Sequence, residues 1–175
     1  MIDAYLFYDL ETTGLQPEGN QILEIAAIAV SDKLDIRATF SICIGAKDLV
    51  LDPYVQKMHT ESGLLTECAL SSITLEQADR KLAAFVDQFY PSSEKIVLAG
   101  HSPHKVDQMF TEAYLPGLAH RLSHRVLDVG AMMRAFKRHG DPTFKEGEVL
   151  GHRALADAAG AHDEFFRLTQ LWRQR

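Results

Sequence analysis

Two carboxylates separated by one residue, Asp9 and Glu11, follow directly on the apolar and aromatic run Tyr5 to Tyr8. A run of that kind is a strand buried on both faces. Alternate side chains of a strand point to opposite faces, so Asp9 and Glu11 share one face and Leu10 takes the other. Neighbouring acids at the end of a buried strand repel each other unless a positive charge sits between them, and a hard divalent cation with oxygen ligands is the simplest such charge. Taken alone, the same pair also fits a strand end that has reached water.

Three further residues bear on that choice. Asp107 lies early in a helical pattern in which Phe110 and Tyr114 follow at three and seven residues, so it faces inward. Alone, it would serve equally as a helix cap. Asp157 lies near the start of another helix, among the small residues Ala154, Ala156, Ala158, Ala159 and Ala161, which let an acid approach a neighbouring element closely. His152 stands five residues before Asp157, after Gly151. It fits a surface or capping role, or a group that takes a proton near neutral pH. Together they have one chemical reading. Asp9, Glu11, Asp107 and Asp157 would be oxygen ligands for two divalent cations, which at roughly 3.5–4 Å separation can activate a water and stabilise the leaving oxygen of a phosphodiester. His152 would accept the proton of that water. Four carboxylates against two dications would leave no net negative charge to repel a phosphate.

The elements that must position these residues follow from periodicity. Ala4 to Leu10 and Gln21 to Val30 read as strands, with turn signals between them at Gly14 and 17–20. Ile36 to Ile44 alternates apolar and polar residues, a strand with one face less buried. Short connections join the three into an antiparallel meander. Residues 48–66 suit short helices and loops. Thr74-Leu75-Glu76-Gln77 is a capping box, and Leu75, Ala78, Leu82, Phe85, Val86 and Phe89 form the stripe of the helix behind it. A short buried strand at 95–99, a helix over 106–114 and a break at Pro116-Gly117 follow. Arg125 to Leu127 is a brief strand, Asp128 caps a helix reaching about His139, residues 140–151 are a mobile loop, and 153–172 form a long helix. The expectation is an α/β fold with a mixed five-stranded sheet, three antiparallel strands then two further strands, flanked by helices. The chain, residues 1–175, is expected to be one domain.

Composition narrows the partners. The net charge is −6, with 24 acids against 18 Lys and Arg, which excludes a broad cationic surface for duplex DNA. Cys43 and Cys68 form no paired motif and fit a reducing compartment. Met1-Ile2-Asp3 lacks the basic start of a signal peptide, and the longest apolar run, Ile25 to Val30, is too short to span a bilayer. A cytoplasmic protein without a membrane segment is expected.

The motifs also carry a resemblance. Asp9 to Gly14 reads D-x-E-T-T-G, Asp107-Gln108-Met109-Phe110 forms a second element, and His152 to Asp157 reads H-x-A-x-x-D. In that order they resemble the DEDDh exonucleases of the ribonuclease-H-like superfamily, which include the proofreading subunit of replicative polymerases. The resemblance implies 3′-to-5′ exonuclease action with two Mg²⁺ or Mn²⁺ ions. Within that group the chain is most similar to the oligoribonucleases, through His59-Thr60-Glu61-Ser62-Gly63-Leu64, Leu115-Pro116 and Arg125-Val126-Leu127-Asp128-Val129. That similarity implies short single-stranded RNA as substrate and a homodimer. It implies that Leu15 wedges against bases, that Tyr54 stacks on one, and that His59 and Arg125 border the 5′ phosphate, Arg125 at or across the dimer interface. Thr12, Gly14 and Ser102 complete the implied substrate-binding set. The chain departs from the oligoribonuclease pattern at His101-Ser102 (Asn-Ser there), at an extra residue before Asp107, at His124 (Tyr there) and at Gly130 (Ser there). These departures border the phosphate pocket.

Two alternatives remain open from sequence. One is a proofreading-type or general exonuclease on single-stranded DNA or longer RNA. The other is a nucleic-acid-binding module without turnover, which the presence of all five catalytic residues opposes. A zinc centre built on His101, His104, His120 and His124 matches no common ligand spacing.

Overall fold

The structure, a computed structural model, describes residues 4–139 and 151–173. Five strands form one mixed sheet in the order β3-β2-β1-β4-β5. They are β1 (Ala4–Thr12), β2 (Ile22–Val30), β3 (Ile36–Cys43), β4 (Ile96–Gly100) and β5 (Leu122–Asp128). β1 pairs antiparallel with β2, and β2 with β3, as the short turns require. β1 pairs parallel with β4, and β4 with β5. All nine residues of β2 and all five of β4 are buried, because each lies inside the sheet with helices over both faces. β3 lies at the edge, and its alternation of apolar and polar residues follows from one exposed face.

The helices are α1 (Pro53–Glu61), α2 (Leu64–Leu70), α3 (Leu75–Phe89), α4 (Asp107–Tyr114), α5 (Pro116–Ala119), α6 (Val129–His139) and α7 (Ala154–Arg173). Leu6, Tyr8 and Leu10 of β1 point to one face and pack with Leu82 and Val86 of α3, Phe110 of α4 and Leu118 of α5. Phe7 points to the other face, with Met133 and Phe136 of α6 and Ala158, Ala161 and Phe165 of α7. The period-two alternation of β1 therefore sorts its side chains between two cores, and Asp9 and Glu11 continue the row that faces α7.

The capping box forms as expected: the Gln77 N–H donates to Thr74 Oγ1 at 3.2 Å and the Thr74 N–H to Gln77 Oε1 at 3.0 Å. One expectation is corrected. Pro116-Gly117 is not a break but the start of the short helix α5. Proline is tolerated in a first helical turn because the missing N–H would have no intrahelical partner there. The Gly117 N–H also finds an acceptor in the Asp79 carboxylate, 3.0 Å from each oxygen. The mobile loop expected over 140–151 lies, for 140–150, outside the described residues. Among the described residues no helix is long and apolar enough to cross a membrane.

Candidate active site

β1 runs past the end of its neighbour. Its parallel pairing with β4 stops at Phe7↔Ala99, while its pairing with β2 continues to Thr12. The gap beyond β4 receives the start of α4. There Asp107 Oδ1 accepts the Leu10 N–H at 3.0 Å, a donor that a neighbouring strand would otherwise have taken. From the opposite core, the first turn of α7 brings in Asp157. One ligand oxygen from each of Asp9, Glu11 and Asp157 lies within 4.8 Å of the others. Residues 97 and more apart in sequence thus meet at the end of one strand.

The electrostatics are those of uncompensated acids. Burial pushes the Asp9 carboxyl well above its usual range, and the charges of Asp107, Glu11 and Asp157 push it further. Glu11 rises to about 8 through burial first, then the charges of Asp157 and Glu24, with Arg153 opposing. Asp107 rises to about 7 through burial, even though the Leu10 N–H favours its charged form. Burial also raises Asp157, against the opposing charges of His152 and His101. A cluster of this kind holds protons or a cation. All four groups offer carboxylate oxygens, the donor set of a hard divalent ion, so the residues fit such an ion.

His152 is exposed, in the turn before α7, with a left-handed φ of 51° after Gly151 at 76°. The structure places His59 in the interior, with its side chain 0% exposed. Its Nε2 donates to the Thr12 carbonyl at 3.0 Å and its Nδ1 lies 3.9 Å from Glu11 Oε2. His59 therefore braces the end of β1 from the interior. Gly14 lies close to Asn20: a Cβ there would meet the Asn20 side chain at 2.4 Å and displace it. The Thr12 hydroxyl donates to the Gly14 carbonyl at 2.7 Å, closing the turn after the two acids.

A cavity of about 770 Å³ opens over the cluster. Asp9, Glu11 and Asp107 line it together with Thr12, Gly14 and Ser102. Leu15, Val50 and Tyr54 line it too, and all three are exposed apolar side chains, 73%, 100% and 69% accessible. Val50 was not singled out from sequence; it is the middle of the short apolar run Leu49–Leu51, which is too brief to show a periodicity. Ser102 has a left-handed φ of 57°, and its N–H donates to Asp128 Oδ1 at 3.3 Å. Arg125 is exposed on the edge strand β5 and is not part of the cavity wall. The histidines considered for zinc have separate partners. His101 Nε2 lies 2.7 Å from Glu164, His104 Nδ1 4.0 Å from Asp128, and His120 Nδ1 2.9 Å from the Pro116 carbonyl.

Two residues that sequence reading passed over adjoin the cluster. Glu24 sits on β2 directly opposite Glu11 and is 1% exposed. Its oxygens accept Arg153 Nη2 at 2.9 Å and Nε at 3.1 Å, Ser41 Oγ at 3.2 Å and the Ala154 N–H at 3.0 Å. Arg153 also grips Glu67 of α2, with both contacts at 2.8 Å. The signal available was a lone acid inside an otherwise apolar strand.

Residues 6–165 match the RNase T exonuclease family model. The chain belongs to that family. It is 30% identical to an oligoribonuclease of Corynebacterium diphtheriae over 97% of this chain and 83% of that protein. It is 32% identical to a mitochondrial oligoribonuclease of Homo sapiens, over 95% and 73% respectively. Among solved structures, E. coli exonuclease I in complex with a 5cy-dA13 oligonucleotide matches with a TM-score of 0.74 at 15% identity. That match covers 96% of this chain but 40% of the exonuclease I chain, so it speaks for the fold alone. As a member of the family the protein is an exonuclease-type enzyme with a ribonuclease-H-like sheet, and three of its acids are placed to hold a divalent cation.

Proposed function

We propose that the protein is a 3′-to-5′ exonuclease acting on short single-stranded RNA, with Asp9, Glu11, Asp107 and Asp157 holding two Mg²⁺ or Mn²⁺ ions. The observation that carries this reading is the convergence of Asp9, Glu11 and Asp157 at the end of β1, with Asp107 bonded to the backbone between the first two. Bound divalent cations would supply charge neutralisation for an incoming phosphodiester and a more acidic attacking water. His152, exposed in the turn before α7, would take up the proton of that water. Leu15 and Tyr54 offer apolar faces to the terminal bases, a mode of binding that tolerates any base. Ser102 lines the same cavity near the phosphate, and Arg125 completes the 5′-phosphate pocket across a homodimer interface. His59 keeps Thr12 and Glu11 in place. A cavity of about 770 Å³ has room for a few nucleotides over the acids. Short substrates also need few cationic contacts, in keeping with the net charge of −6. The relatives named oligoribonuclease support the same substrate class.

The test is a degradation series of 5′-phosphorylated RNA and DNA, from dinucleotides upward, with Mn²⁺. Fastest turnover is expected on the shortest RNA, and none in Asp9→Ala or His152→Ala. A preference for long DNA would replace the substrate assignment with the proofreading-type reading. Full activity in Asp9→Ala would remove the metal site. The reading includes a cytoplasmic homodimer, and a monomer by light scattering would remove Arg125 from the pocket.

A further inference from the structure

We propose that Arg153 is a positioning residue: by locking Glu24 it keeps a fifth carboxylate out of the cation site and sets the place of Asp157 and His152. This rests on the reading of the acids as cation ligands. Glu24 and Glu11 are cross-strand partners, so their side chains lie side by side on the α7 face of the sheet. A free Glu24 carboxylate would compete for the same cation and draw it toward β2. Instead, four donors occupy its two oxygens, and the fork of Arg153 supplies two of them.

The same contacts join the two halves of the site. The Ala154 N–H belongs to the first residue of α7, so Glu24 caps that helix from the sheet. Asp157 is in the same first turn and its N–H donates to the Arg153 carbonyl at 3.0 Å. His152 is the residue before Arg153, and its left-handed backbone leaves it little freedom once Arg153 is fixed. Glu67 takes the outer edge of the guanidinium in a second fork, so Arg153 is held from β2 and from α2 at once. Only a planar guanidinium can bridge two carboxylates in this way; a lysine ammonium cannot.

The experiment compares the full chain with Arg153→Met, Arg153→Lys and the double variant Glu24→Gln/Arg153→Met. Three quantities are measured: Mn²⁺ affinity by calorimetry without substrate, the melting temperature without metal, and kcat and KM on an RNA dinucleotide. Arg153→Met is expected to weaken Mn²⁺ binding by about 10–100-fold, as loss of a ligand's supporting contacts generally does. It is expected to lower kcat more than it raises KM, with Arg153→Lys recovering only part of the loss. The double variant leaves no unpaired buried charge, so it keeps the fold if the single variant does not. It too is expected to bind Mn²⁺ more weakly, because α7 has lost the Arg153 fork that tied it to β2 and keeps only the Ala154 N–H contact. Wild-type Mn²⁺ affinity and kcat in a folded Arg153→Met or double variant, with only the melting temperature reduced, would overturn the proposal. A wild-type chain that binds no Mn²⁺ would instead overturn the reading it rests on.

Discussion

Asp107 is the acid that most directly links site chemistry to stability. Its carboxyl is raised from 3.8 to about 7 and that of Glu11 from 4.5 to about 8, both by burial first. A carboxyl raised in the folded state contributes stability that is complete below its unfolded value and is lost as pH rises through the folded one. The metal-free protein should therefore melt at progressively lower temperature as pH rises from about 5 to about 8. Mn²⁺ should restore the most at the upper end. Asp107→Asn keeps an oxygen for the Leu10 N–H and removes the buried charge. It is expected to abolish turnover yet raise the metal-free melting temperature at pH 8, with a flatter pH dependence, measured by calorimetry. An equal pH slope in both proteins would show that the charge of Asp107 is compensated. Tyr54→Ala tests the cavity rim: loss of one stacking face should cost about 1–3 kcal/mol of substrate binding. That loss should be read as a higher KM with kcat little changed. At this scale the sequence was informative where chemistry repeats locally. Asp9 and Glu11 are marked by their spacing on one strand, and Asp157 by its small neighbours. Glu24 and Arg153 were not legible, because the residues that explain each other lie 129 positions apart.

Elements were legible where their signals are local. The alternation in β3, the apolar run of β2 and the Thr74–Gln77 box each specify an element from within about ten residues of chain. Thr74→Ala is expected to lower stability by about 1 kcal/mol, the usual worth of such a cap, with activity per folded molecule unchanged. Urea unfolding measures it. α5 was not legible. Pro116-Gly117 reads as a break by composition, and its helical turn depends on Asp79 from α3. His59 illustrates the same limit. Its residue type suits a phosphate contact, but only the packing of α1 on the end of β1 places it 0% exposed under Thr12.

For the whole molecule, the three antiparallel strands and two further strands of a mixed sheet followed from the short turns in the first third and the helices later in the chain, while the order β3-β2-β1-β4-β5 and the parallel pairing of β4 and β5 come from the structure. The insertion of β1 between β2 and β4 brings two carboxylates to a strand end that helices approach from both cores. The net charge of −6 carries a kinetic expectation. A substrate of two nucleotides displaces few counterions, so the logarithm of kcat/KM should fall with the logarithm of salt concentration at a slope no steeper than about −1.5. A slope that steepens steadily with RNA length would reveal an extended cationic track and a longer natural substrate.

The bond from Leu10 to Asp107 and the cap from Glu24 to Ala154 join residues 97 and 130 positions apart. A ribosome making this chain releases the meander long before α7 emerges. Until synthesis passes Asp157, the nascent protein carries at most three of the four acids, so on the proposed reading cutting waits for the first turn of α7 to bring the fourth.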